Sequence, residues 1–171
     1  MDNQKKYKIA YKLTTVASTG LAFIEDSLQG IMGNATDTAF LRSFYILLSY
    51  DFELILKSRV VMTESFSKDE DIVERLKKLG HNIIKIKTDL GVTNLNMLGI
   101  KEIVESDDQY KITTTDDKEI QIEDFTKIRY DFLDGKTHTV DNNEHERIKG
   151  YTDTLFCILR KAKNGNEEMR A

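Results

Sequence analysis

Several side chains in this sequence could move a proton or hold an anion, and their spacing groups them. Glu53 and Lys57 stand four residues apart inside "YDFELILKSRVV", Tyr50 to Val61, an otherwise apolar run. Four residues is about one helical turn, so the two share a face, with the acid on the N-terminal side in the favourable order for an intrahelical pair. Arg75 precedes His81 with five residues between them. An Arg can stabilise a phosphate anion, and a His can move a proton near neutral pH. Arg75, Lys77, Lys78, Lys85 and Lys87 stand against the single acid Glu74 across residues 74–88. They are the best candidates for phosphate contact, although a solvated helix surface would use the same residues. The run lacks the interleaved aromatic side chains of a single-strand binding platform.

Metal chemistry finds less support. Asp141 and His145 are one turn apart with His138 nearby, and all three are zinc-ligand types. No fourth ligand is evident, and the local acids and asparagines read more simply as a helix N-terminal cap. No metal and no cofactor are therefore expected. Glycine-rich phosphate loops, paired-cysteine zinc spacings and nucleophile motifs are absent from the sequence. Cys157 is the only cysteine, which excludes an internal disulfide framework and fits a reducing compartment. Its setting in "DTLFCILRK" reads as a small residue facing the core.

The elements that must position these groups follow from length and pattern. A chain of 171 residues with eight Phe and seven Tyr can bury a core as a single domain over 1–171. Proline is absent where average usage would place about eight, which removes helix stops and favours long helices. The net charge of −4 excludes a generally basic nucleic-acid binder but leaves room for a local basic face. The N-terminal "MDNQKKYKIAYK" has no apolar signal core, and Ser49, Asp51 and Glu53 interrupt the longest apolar segment. A cytoplasmic protein without membrane contact is expected.

Apolar spacing predicts one long helix or two shorter ones over residues 4–32, with Gly20 as a weak point, then a helix from Asp37 to about Met62 capped by Thr36 or Asp37. On the second helix Arg42, Ser49, Glu53, Lys57 and Glu64 fall on a narrow wet arc, while Phe44, Leu48 and Ile55 belong to the broad buried one. Asp51 lies on the apolar side, where a carboxylate needs a donor. A third helix in "SKDEDIVERLKKLG" starts with Ser67 and Glu70 capping each other and stops at Gly80. "HNIIKIKTDLG" reads as a helix closing at Gly91, and "NLNMLGIKEIVES" as another short helix. A small β-hairpin over about 109–123 follows, acidic and solvated, then a short helix through "EDFTKIRY" and a last long helix from about Asn142 that buries Ile148, Tyr151, Leu155, Leu159 and Ala162. The fold class is all-α: an up-and-down bundle of four to six helices with a hairpin insertion.

An apolar helix carrying Glu53, Leu56 and Lys57, then Gly80, His81, Asn82 and Ile83, then Ile128, Arg129 and Tyr130, resembles the HEPN family. Its members often show an E-x-x-L-K helix, a GH-(D/N)-(L/I) segment and an arginine-tyrosine segment before the last helix. The three matches occur in order and span roughly half the chain. The resemblance implies a bundle of four or five helices, dimerisation through long helices, and either ribonuclease activity or a non-catalytic role in toxin–antitoxin and defence systems. Glu53, Lys57, His81 and Arg129 would line a polar seam. The family's catalytic Arg-His motif normally lies near the last helices, whereas Arg75 and His81 belong to the GH segment. The expectation is therefore a non-catalytic homodimeric module associated with RNA, a nucleotide or a protein partner. The alternative is a metal-independent endoribonuclease in which Arg75 positions phosphate and His81 acts as general base or acid.

Overall fold

The computed structural model describes residues 2–31, 38–124 and 143–170. This part is mostly helical: α1 (Asn3–Ile31), α2 (Thr38–Thr63), α3 (Asp69–Leu79), α4 (Ile83–Met97) and α5 (Glu144–Glu168), with strands β1 (Ile100–Ser106), β2 (Gln109–Thr114) and β3 (Glu119–Glu123) between α4 and α5. Residues 125–130 of the helix expected through "EDFTKIRY", the caps Thr36 and Asp37, and Arg129, His138 and Asp141 lie outside the described residues, while Glu123 ends β3. Among the described residues no helix is long and apolar enough to cross a membrane.

The centre of the fold is α2. Every residue from 51 to 62 is buried, because α1, α4, α5 and β3 all pack on this helix. The narrow wet arc expected on it is thereby corrected: Ser49, Glu53 and Lys57 are 2%, 1% and 8% exposed. Lys6 of α1 finishes the helix, its Nζ donating to the carbonyls of Met62 at 2.8 Å and Glu64 at 3.0 Å. A cation from a neighbour thus complements the negative end of a helix that has no base in its own last turn.

Along α1 the buried positions are Lys6, Ala10, Thr14, Ala17, Leu21, Ile24 and Leu28, a regular three-and-four spacing. Tyr11 and Val16 face outward, 55% and 50% exposed. Small residues take the inner positions of the first half, so α1 lies close to its neighbours and the larger side chains turn outward.

Gly20 does not break α1, which runs unbroken past it. It makes room for Asp51. A Cβ on Gly20 would lie 2.2 Å from Asp51 Oδ2. The donor expected for that carboxylate is missing: Oδ2 has no hydrogen-bond partner although Asp51 is 1% exposed. Burial instead pushes the Asp51 carboxyl up to about 8, so the acid is neutral at pH 7. Gly→Ala inside a helix ordinarily stabilises by about 1 kcal/mol. Here Gly20→Ala is expected to destabilise by about 1–3 kcal/mol through overpacking, and Asp51→Ala in the same chain should restore the usual sign, as a denaturant double-mutant cycle would measure.

After Gly80, with φ of 61°, the third helix ends as the pattern predicts. Its N-terminal acceptor differs: the backbone N–H groups of Ser67 and Lys68 both donate to Asp71 Oδ2 at 3.1 Å, in place of the Ser67–Glu70 exchange. The chain kinks at Gly91, where φ is 71° and ψ 167°, and helix resumes to Met97.

The following segment is a correction. Residues 100–106 form β1, so the expected hairpin over 109–123 becomes the second and third strands of an antiparallel sheet ordered β1-β2-β3. Ile103 pairs with Ile112 and Ile112 with Ile120. This face enters the main core beside α2 and α5, so the insertion is solvated on one side only. On the opposite face Lys111 of β2 pairs with Glu119 of β3 at 2.6 Å, and the exposed Lys101 of β1 pairs with Asp117 of the β2–β3 turn at 2.9 Å. Asp107 and Asp117, at φ of 52° and 58°, turn the two hairpins in a conformation Asp tolerates better than most residues.

Candidate functional site

The polar group at the middle of α2 forms around Glu53. Its Oε1 accepts from Lys57 Nζ at 2.6 Å, and its Oε2 lies 2.9 Å from His81 Nδ1. The corner "GHNI" explains how His81 reaches it. Gly80 closes α3 with its N–H directed at the carbonyls of Leu76 and Lys77, and Asn82 caps α4 by accepting from the Lys85 N–H at 2.8 Å. His81, held between a helix stop and a helix cap, points back at α2. A buried carboxylate facing Nδ1 favours the tautomer with the proton there and leaves Nε2 as the basic nitrogen. The His81 side chain is 47% exposed while the Glu53 side chain is 2% exposed, so the ring bridges the interior and the surface. Glu53, Lys57 and His81 are together in space. Arg129, the fourth member of the expected seam, lies outside the described residues.

Arg75 is directed elsewhere. Its Nε and Nη2 grip Glu64 at 2.8 and 2.6 Å, and Nη2 also reaches Asp89 at 2.7 Å. Two carboxylates, the larger effect coming from hydrogen bonding to Glu64, hold its pKa above the ordinary arginine value. The cation that spacing pairs with His81 is thus closed between two acids, and a bound phosphate would have to displace both. Lys87 also turns inward and donates to the Ile103 carbonyl. This blunts the β1 edge, a common protection against unwanted strand pairing. Lys77, Lys78 and Lys85 remain exposed at the α3–α4 corner, where Lys85 Nζ donates to the Lys78 carbonyl at 2.7 Å. Of the five phosphate-contact candidates, these three keep the geometry for it.

His145 Nε2 donates to the Leu28 carbonyl at 3.0 Å, joining α5 to α1. Among the described residues no three His, Cys, Asp or Glu side chains gather to hold a metal ion. Cys157, read as a core residue, is exposed: at 100° per residue it lies about 200° around α5 from Leu155, which faces the core.

The pattern missed Arg59, which is 1% exposed and among the largest wholly buried side chains. Nη1 donates to Asn166 Oδ1 at 2.9 Å and Nη2 to Asn94 Oδ1 at 3.3 Å, while Nε has no partner. Burial lowers its pKa, opposed by the charge of Glu168. Asn94 and Asn166 lie in the last turns of the two segments ending at Met97 and Glu168, so the guanidinium sits where two helix dipoles present their negative ends. Gly165 allows the close approach, since a Cβ there would be 3.1 Å from Nη1. The one local signal was an Arg directly ahead of the apolar Val60, Val61 and Met62.

The geometry therefore offers one acid–base dyad at the surface, one closed arginine and one basic corner. No family model matches this chain, and no match is found among curated proteins or among solved structures.

Proposed function

We propose that this chain is a non-catalytic, HEPN-like interaction module, homodimeric and cytoplasmic, that contacts RNA or nucleotide phosphates in a prokaryotic defence or toxin–antitoxin setting. The carrying observation is that Arg75 is closed between Glu64 and Asp89 while the Glu53 carboxylate is engaged by Lys57 and His81. A site for phosphodiester cleavage needs a cation free to meet developing negative charge beside the proton-transfer group. The Arg75–His81 pairing does not supply one. The basic corner Lys77, Lys78 and Lys85 is the surface from which phosphate contact would come.

The endoribonuclease alternative keeps one observation in its favour, the half-exposed His81 held by a buried carboxylate. Purified protein incubated with total RNA separates the two readings. The expected result is RNA decay that is the same for wild type and His81→Ala. Decay lost selectively in the variant establishes the enzyme. Binding of single-stranded RNA should weaken with salt at a log–log slope of about −2, for three phosphate contacts, and Lys77→Glu with Lys78→Glu and Lys85→Glu should abolish that slope.

A further inference from the structure

Helices α1 and α5 run antiparallel, Tyr7 lying beside Asn166 and Leu28 beside His145. A groove follows them, formed by cavities of about 130 Å³ at Tyr7 and Asn166, 500 Å³ at Ser18 and Cys157, and 260 Å³ at Leu28 and His145. The central cavity has a charge order: Glu25 and Asp153 at one end, Phe156 and Cys157 in the middle, Arg160 and Lys163 at the other. Asp153 and Arg160 are seven residues apart, about 10 Å along the helix, and flank Phe156 and Cys157 symmetrically. Reversing the direction of this face lays its acids on its bases. That is the self-complementarity an isologous two-fold contact requires. Glu25, Arg160 and Lys163 make no ion pair among the described residues, and Asp153 has only the exposed Lys149 at 3.3 Å.

We propose that a second copy of this chain docks in the α1/α5 groove, antiparallel about a two-fold axis beside Cys157, with Glu25 and Asp153 of each copy meeting Arg160 and Lys163 of the other. The proposal rests on the interaction-module reading and gives it a surface and a partner. Its size is adequate. The 25 residues of α5 span about 37 Å, and two helices side by side are about 20 Å wide, so roughly 700 Å² per copy is available, within the range of specific dimers. The half-buried Phe156 supplies its apolar centre, and the exposed ring of Tyr11 lines the cavity at one end.

Sedimentation of the full chain between about 1 and 100 µM tests it. The expected result is a dimer whose affinity falls more than about tenfold in Arg160→Glu with Lys163→Glu, and as much in Glu25→Lys with Asp153→Lys, because like charges then face each other. Mixing the two variants should restore the dimer, since each supplies the sign the other lacks. Cys157, the sole cysteine, should join the two copies through a short bismaleimide. A monomer throughout the range, a dimer indifferent to both reversals, or a dimer without the Cys157 bridge overturns this surface. Any of these leaves the non-catalytic reading intact, whereas RNA decay abolished by His81→Ala overturns that reading and leaves the surface untouched.

Discussion

Replacing Asp51 by Asn stabilises the protein by about 3–5 kcal/mol at pH 8 and by almost nothing at pH 4. The Asp51 carboxyl is 1% exposed, packed against the Gly20 backbone, and pushed up to about 8 by burial. In the unfolded chain it titrates at about 3.9. Below that value both states hold the proton and the group is neutral with respect to folding. Between about 4 and 8 the unfolded chain releases the proton and the folded chain keeps it, so stability falls by up to about 1.4 kcal/mol per pH unit. Above 8 both states are ionised and the loss is complete. Asn has the same shape, fits the same notch and does not titrate. The advantage of the variant therefore grows steadily from pH 4 to pH 8, as an upward shift in melting temperature that reaches about 10 °C. Melting curves of the two proteins across that range measure it, and a difference that does not vary with pH shows that Asp51 is ionised, or accessible to water, in the folded state.

Those parts of the fold whose residues obey one periodicity were legible. Residues 38–63 form one helix because the pattern there is continuous and nothing interrupts it, and Gly80 announces the stop after which His81 faces α2. The strand β1 was not legible, for a definite reason. The pairing shifts between Ile100 and Glu102, a bulge that puts Ile100 and Ile103 on the same buried face, three residues apart. A bulged strand thus mimics helical spacing. Burial of charge was hidden by a different cause: a helical wheel assigns Glu53 and Lys57 to the polar side of α2, and only the elements packed around that helix show that residues 51–62 have no wet side. Arg59 and Asp51 belong to the same class. Both are partnered, or left unpartnered, by residues distant in sequence, namely Asn94 and Asn166 for the first and Gly20 for the second. No local pattern carries such information.

Removing the carboxylate at the centre of the site has the other large expected effect. Glu53→Ala leaves Lys57, 8% exposed, as a buried ammonium without a counter-charge and takes the acceptor from His81 Nδ1. Breaking one side of a buried ion pair typically costs about 3–5 kcal/mol, more than the pair itself contributes over an apolar substitute. The same asymmetry predicts that Glu53→Leu combined with Lys57→Met recovers most of the loss, because both desolvated charges disappear together. Guanidinium unfolding of the two variants measures the difference, and a single variant that loses less than about 1 kcal/mol places the pair in contact with water. The charge-free double variant then separates fold from function. It keeps the helix packed, yet His81 has lost the group that orients it. If phosphate contact comes from Lys77, Lys78 and Lys85, and self-association from the α1/α5 groove, that variant binds RNA and dimerises as the wild type does. RNA binding or dimerisation that fails in a stably folded double variant makes the Glu53–His81 pair part of the binding surface, and the exposed edge of the histidine becomes the place to look for the ligand.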